Sequence, residues 1–365
     1  MKAIFIFLIS FFSLLPAFAE ETVVLPSQIG IVQNVVYENI ENIPTQTKQV
    51  AEIKILSGEH KNEILVLDNM LTGNPNYDIK LKQGTKVVLH AEISDDGLEF
   101  SIADIKRSGT LIWLSLVFCV LLLYVGRKKG LYSLVSIGLT VLLITQCLSP
   151  MIIAGISPVV STLLICIVST VITMYFVGGL NAKSTSASIG AIMSLVFAGI
   201  LSYLTIFSAH LTGFAEENML YLYSAHPELD FIGITISAMI LATLGAVMDV
   251  AMSIASTINE IHQTDKTKSI NELFQSGMNV GRDIIGTMAN TLILVYMGGA
   301  LPLLLLANNI DLQKFVNLNQ VVTEVASALI GSIAIVICVP FTALAASRMI
   351  YKYATEIQLE SIDTD

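Results

Sequence analysis

From residue 110 onward, apolar residues run in stretches of about 20, each long enough to cross a hydrocarbon core roughly 30 Å thick. Before that point the pattern is different. Short runs at 23–36, 50–55, 63–67, 85–93 and 98–105 are bounded by turn residues, and several alternate apolar with polar positions. Lys86-Val87-Val88-Leu89-His90-Ala91-Glu92-Ile93 is the clearest case. Turn signals separate the runs: Ser57-Gly58, Asn74-Pro75-Asn76, Gln83-Gly84 and Asp95-Asp96-Gly97. Five short strands in fewer than ninety residues suit a small barrel of the OB type. The long stretches predict seven membrane helices, at 110–125, 131–153, 158–177, 186–212, 231–257, 284–307 and 321–351. The fold class expected is therefore mainly α: a polytopic membrane bundle of about seven helices with an N-terminal, OB-like β domain outside the cytoplasm.

The first residues read as a secretory signal. Lys2 supplies a positive start, 4–15 is apolar, and Ala17-Phe18-Ala19 is an A-x-A cleavage pattern. An uncleaved anchor is the alternative, and both place the following segment outside. The layout expected is a signal at 1–19, a β domain at 20–107, a helical domain at 108–353 and a cytoplasmic tail at 354–365. Basic residues agree. Arg127, Lys128, Lys129, Lys183, Lys266, Lys268, Arg282, Arg348 and Lys352 fall in the inner connections, against Lys314 alone in the outer ones. Nine against one is a positive-inside bias. Lys106 and Arg107, just outside the first span, run against it.

Composition sharpens the picture. The chain is 54% hydrophobic and 13% charged, where soluble domains carry about 25% charged residues; mean hydropathy is +0.75. The net charge of −10, and fourteen Asp or Glu against six Lys between 20 and 105, oppose binding to nucleic acid. Cys119, Cys147, Cys166 and Cys338 all lie in apolar spans, so no disulfide framework is expected.

Small residues recur where helices must approach closely. Ser186, Gly190, Ser194, Ala198 and Ser202 form one stripe; Ala238, Ala242 and Ala246, beside Gly245, form another; Ala328 and Ser332 a third. They predict a tight bundle, within the chain or as a homo-oligomer. Pro302 and Pro340 predict kinks near Gly298-Gly299 and Ile337. In the inner connection 259–283, Ile270, Leu273, Phe274, Gly277 and Met278 suggest a short amphipathic helix lying on the membrane.

Ionisable groups inside spans are costly, about 2.5–3.5 kcal/mol at the centre on translocon scales. Asp249 in the fifth span is the foremost candidate, with Arg282, Asp283 and Asn290 at similar inner depth. Pairing of Asp249 with Arg282, or a hydrogen bond to Asn290, is expected. The functional reading is a cation or proton site, or part of a substrate path; the structural one is a polar clamp. Glu324, near the outer end of the last span, and the turn holding Asn181 and Lys183 are further candidates. Lys183 also has a plain role in setting topology. No H-E-x-x-H, P-loop or G-x-S-x-G motif occurs, the five histidines are scattered, and so no enzyme, metal site or cofactor is assigned.

Several segments resemble the YibE/F-like bacterial membrane proteins. They are Ser57-Gly58-Glu59-His60-Lys61, Asp68-Asn69-Met70-Leu71-Thr72-Gly73-Asn74-Pro75, Gly178-Gly179-Leu180-Asn181-Ala182-Lys183, Gly245 to Ala255, and Gly277 to Leu292. The resemblance covers nearly all of the mature chain. It implies a polytopic protein of the bacterial inner membrane of unsettled function, sometimes guessed to be a permease. It adds weight to Asp249, Arg282, Asp283 and Asn290 without assigning them roles. The first expectation is a permease or channel-like protein with a polar site at Asp249, Arg282 and Asn290. The second is a scaffold that holds an extracytoplasmic protein partner through its β domain. An intramembrane enzyme comes third.

Overall fold

The computed structural model describes residues 27–39, 47–58, 60–74, 78–94 and 97–362. The expected signal at 1–19 lies outside the described residues. The chain divides into two compact units, with the boundary after Leu122.

The first unit carries five strands: β1 Gln28–Asn39, β2 Thr47–Ile55, β3 Ile64–Leu71, β4 Lys86–Ser94 and β5 Gly97–Ile105. They form one sheet in the order β3-β2-β1-β4-β5, antiparallel at every pairing. The edge strands β3 and β5 approach each other, so the sheet is a nearly closed barrel. β1 serves both halves of it. A bulge between Val32 and Asn34 interrupts the pairing of β1 with β2 just beyond Ile31, where its pairing with β4 ends. Alternation selects the core: Val32, Ala51, Ile53, Ile55, Val87 and Leu89 are buried.

A buried glutamine anchors the long loop between β3 and β4. Gln49 donates to the Leu81 carbonyl at 3.2 Å, and its Oε1 accepts from the Leu81 amide at 3.1 Å and from Asn69 Nδ2 at 2.9 Å. Asn69 also donates to the Ile79 carbonyl at 2.6 Å. At the loop's start, Asp78 accepts from the amides of Thr72 and Gly73 at 2.6 and 2.9 Å. Asn69, Thr72 and Gly73 of the Asp68–Pro75 motif thus fix the loop.

The helical elements are α1 Ser108–Leu143, α2 Ser149–Ile153, α3 Pro158–Gly178, α4 Ala182–Ser208, α5 Glu217–Ala225, α6 Phe231–Thr264, α7 Ile270–Gly299, α8 Leu301–Leu306, α9 Leu312–Phe315 and α10 Asn319–Ile362. One π-helical turn, Ile144–Leu148, joins α1 to α2. Their ends follow from sequence. Pro158 opens α3, Gly179 at φ +80° ends it, and Asn181 caps α4 by accepting from the Ser184 amide at 2.9 Å. Asp230 caps α6 through the Gly233 amide, and Ser269 with Glu272 forms a capping box on α7.

Five helices are long and apolar enough to cross a membrane, six if the bent pair α7–α8 counts as one span. The expected spans at 110–125 and 131–153 fall in a single 46-residue stretch, Ser108–Ile153, whose helical geometry breaks at Arg127. A straight helix of that length would reach about 69 Å, more than twice the hydrocarbon core. Seven is therefore an approximate count, reached when the chain turns at Arg127.

In the second unit α4 packs on α6 and α10, α10 packs on α6 and α7, and α3 closes the side formed by α4 and α6. The α4 stripe is the seam. Ser186, Gly190, Ser194, Ala198 and Ser202 are all buried. A Cβ on Gly190 would stand 2.7 Å from Thr342 Cα and overlap the Thr342 hydroxyl. The hydroxyls of Ser194 and Ser202 donate to carbonyls four residues back, so close packing leaves them paired.

Three expectations are corrected. The inner amphipathic segment is not a separate surface helix: it is the start of α7, and its apolar face, with Leu273 and Gly277, packs into the bundle core. Of the two packings expected for the α6 stripe, the one within the chain is met only at Ala246; Ala238, Ala242 and Gly245 are exposed, because α4 and α10 take the face with Ile240, Val247 and Ile254. Pro302 does not sit within a helix; it starts α8 after a 66° bend at Ala300. The bend falls beside Gly298-Gly299, as expected. α10 runs through Pro340 unbroken.

Candidate functional site

α6 and α7 form a helical hairpin closed by a short turn in which Asp265 accepts from the Thr267 amide at 3.0 Å. A Cβ on Gly277 would meet Ile258 at 2.6 Å, which sets the two helices in register. Nine residues farther from the turn on each, about 14 Å along the axis, Asp249 stands level with Gly286, between Asp283 and Asn290. The shared depth expected from sequence is thus met. α6 has 34 residues and extends about 51 Å, so the hairpin outreaches a 30 Å core at one end.

The faces of α7 are opposite in character. Leu273, Gly277, Gly281 and Leu292 are buried. Gly281 lies directly against Val339, and Gly277 also meets Ala343, so α10 approaches this face closely. The other face exposes Asn279, Arg282, Asp283, Gly286 and Asn290. Arg282 Nη1 donates to Asn279 Oδ1 at 2.8 Å. Among the described residues, no hydrogen bond or ion pair joins Asp249 to Arg282 or Asn290, so the expected pairing is not made. Asp249 instead ends the exposed strip of small residues on α6, with open space around a Cβ at Gly245 and at Gly286. Asp283 and Asn290 likewise make no side-chain hydrogen bond within the described residues. These groups stand on an unpacked polar face in a helix pair that is otherwise an apolar span.

Glu324 belongs to a different place. It lines a cleft of about 290 Å³ with Tyr296, Ala300, Phe315, Ala328 and Leu329, where α7 bends into α8. The surface it offers a ligand is apolar. Glu324 is fifteen residues along α10 from Val339, the residue that meets Gly281, and so about 22 Å from the level of Arg282. The structure does not bring it to Asp249. Asn181 and Lys183 lie in the turn between α3 and α4. Asn181 Nδ2 donates to the Gly178 carbonyl at 2.7 Å while its Oδ1 caps α4, and Lys183 is half-buried in the first turn. A Cβ on Gly178 would stand 2.9 Å from Met252 Cε, which places this turn about one helical turn from the level of Asp249. Asn181 therefore has a structural task.

Two buried polar groups carried no sequence signal. Both ring nitrogens of His262, near the end of α6, are buried without a hydrogen-bond partner, with the Tyr351 ring 6.0 Å away. The Tyr296 hydroxyl is buried and unpartnered as well. Their burial comes from α10 crossing α6 and α7, which no local pattern records. Among the described residues no group of three His, Cys, Asp or Glu could hold a metal ion.

A family model described as YibE/F-like protein matches residues 114–352, and one described as YibE/F family N-terminal domain matches residues 27–105. The boundary between these matches falls where strand gives way to helix. No curated protein and no solved structure matches the chain.

Proposed function

The chain belongs to the YibE/F-like family of membrane proteins, and from that premise we propose that it is a permease or channel-like protein of the bacterial inner membrane. The β domain is outside, the C-terminus is cytoplasmic, and the role is transport rather than catalysis. The observation that carries the reading is the unpacked polar face of α7. Asn279, Arg282, Asp283 and Asn290 are exposed there, with Asp249 at their level on α6. Hydrocarbon offers Asp249 and Asn290, which lie inside the expected spans, no hydrogen bonds, so the helices keep such groups in a bilayer only where water or polar groups meet them. A hydrated path along α7 satisfies that demand. Asp249 then supplies a negative site for a cation or proton, and Arg282 a counter-charge about one turn away.

The test is flux. Purified chain in liposomes is loaded with a pH-sensitive or cation-sensitive dye, and uptake is followed under an imposed gradient. Transport by the wild-type chain, at least tenfold slower in Asp249→Asn of equal folding, is expected. No flux of protons, monovalent cations or small solutes, with a full cellular phenotype in Asp249→Asn, refutes it. Orientation is tested by single cysteines at 266 and 217 in intact cells; an impermeant maleimide should label only the second.

A second reading draws on the β domain. The outward face of β3 exposes Ile64, Val66 and Met70. An exposed apolar patch of this kind is a protein-docking surface by composition. In this reading the chain is a scaffold for an extracytoplasmic partner. Loss of phenotype in Val66→Lys/Met70→Lys with flux intact would favour it.

A further inference from the structure

Two of the three small-residue stripes are closed to another chain, while the one on α6 is left open. The stripe on α4 is buried against α10, and Ala328 and Ser332 of α10 are buried too. The face of α7 opposite its packed side is different. Asn279, Asp283, Gly286 and Asn290 recur at helical spacing on it, all exposed, with Arg282 beside Asp283. Gly286 has open space where a Cβ would stand. Where this face enters the expected span, at Gly286 and Asn290, it needs a polar partner at the same depth.

Among the described residues, no other helix makes a hydrogen bond or ion pair with Asp283 or Asn290, and Arg282 bonds Asn279 of its own helix. Residues 111–125, the most apolar part of α1, hold no charged side chain. In the second half of α1, Ser136 and Thr140 are already bonded to Thr173 and Ser169 of α3 at 2.6 and 2.7 Å. The α7 face, however, is complementary to itself. It has one cation and one anion in adjacent positions, an asparagine toward either end, and a glycine between them. Two copies related by a two-fold axis along the membrane normal would run their α7 helices in parallel, with equal residues at equal depth. Close approach at Gly286 then brings Arg282 to the partner's Asp283 and its reciprocal, and sets Asn290 against the partner's Asn290. Asparagines and small residues are the groups that hold helices together in lipid, and a two-fold contact is self-complementary by necessity.

We propose that the chain is a homodimer joined through the Asn279–Asn290 face of α7. This contact and the hydrated path proposed above draw on the same face of α7: a dimer band at position 290 without flux assigns the face to the contact, and flux without a band assigns it to water and overturns the dimer. A scaffold would need the same cover.

The experiment uses the full-length chain in native membranes. Cys119→Ser silences the one natural thiol that is not buried. Asn290→Cys is added on the α7 face, and in a second strain Leu329→Cys on an exposed position of α10. Under a mild oxidant a dimer-sized band is expected from the first and at least tenfold less from the second. Asp283→Arg should lower the Asn290→Cys band tenfold, by placing four cations at the axis; Arg282→Asp with Asp283→Arg should restore it to within twofold. No dimer band at position 290, an equal band at 329, or indifference to Asp283→Arg overturns the proposal. Should the single charge variant fail to accumulate, the wild-type chain in nanodiscs decides the matter by mass photometry. A two-copy mass supports the dimer, and a one-copy mass at every protein-to-lipid ratio overturns it.

Discussion

Adding one methyl group at Gly190 tests the helical seam most directly. Alanine there would place a Cβ 2.7 Å from Thr342 Cα and into the Thr342 side chain. Carbon atoms in contact sit about 3.5–4.0 Å apart, so α4 and α10 must separate by about 1 Å at this point. Thr342 cannot swing away from its own Cα, and it is fully buried. Overpacking of this kind costs about 1–3 kcal/mol, while alanine for glycine in a helix returns up to about 1 kcal/mol. A net loss of about 1–2 kcal/mol is expected. Gly138→Ala is the control: nothing stands near a Cβ there, so that variant should be as stable as wild type or slightly more so. The measurement is loss of helical signal in detergent micelles, on heating and against SDS, for both variants beside the wild type. Thr342→Ala removes the hydroxyl and its methyl but not Cα, and should recover only part of the loss. If Gly190→Ala resists heat and SDS as well as the wild type does, the close approach of α4 to α10 is wrong, and with it the register of the whole bundle.

Asn181→Ala removes the α4 cap and should cost about 1 kcal/mol, read as lower midpoint stability; no change would deny the cap its role. Asp78 yields a pH prediction. Slight desolvation pushes its carboxyl up, but hydrogen bonds from Thr72 and Gly73, helped by the Lys80 charge, hold it below its ordinary value of 3.8. A depressed folded value means the contribution is complete above the unfolded value and is lost as pH falls through the folded one. Amide protection across the 72–85 loop of the full-length chain should thus fall on acidification below about pH 4. Asp78→Asn should start lower at neutral pH and lack that step, and hydrogen exchange that shows equal protection in both chains at pH 7 would remove Asp78 from the account.

Much of the fold could be read from pattern alone. Runs bounded by turn residues, several of them alternating, located all five strands to within a few residues, because each strand has one face in the barrel core. The Asn181 turn was legible as a break. The α7 segment was read less well. Ile270, Leu273, Gly277 and Met278 do form one apolar face, but the spacing of apolar residues does not say whether lipid or α10 receives it. Asp249, Arg282 and Asn290 were correctly set at neighbouring depth, since depth follows from counting residues along a hairpin. Their pairing was not met, because it depends on how α6 and α7 are rotated about their axes. That rotation is set by where Gly277 and Gly281 let Ile258, Ala343 and Val339 come close.

The residue order alone marked which segments are long and apolar enough to cross a membrane, where strand yields to helix, and which carboxylates and cations stand at similar levels along neighbouring helices. Those are properties of segments, governed by transfer between solvents and by the reach of the backbone. Only the tertiary structure decided which stripe of small residues is a seam and which is left open, that His262 is buried, and that Arg282 turns toward Asn279 rather than Asp249. These depend on contacts between helices far apart in the chain. Close packing fixes them by steric exclusion of a few ångströms, a scale that no periodicity along one helix records.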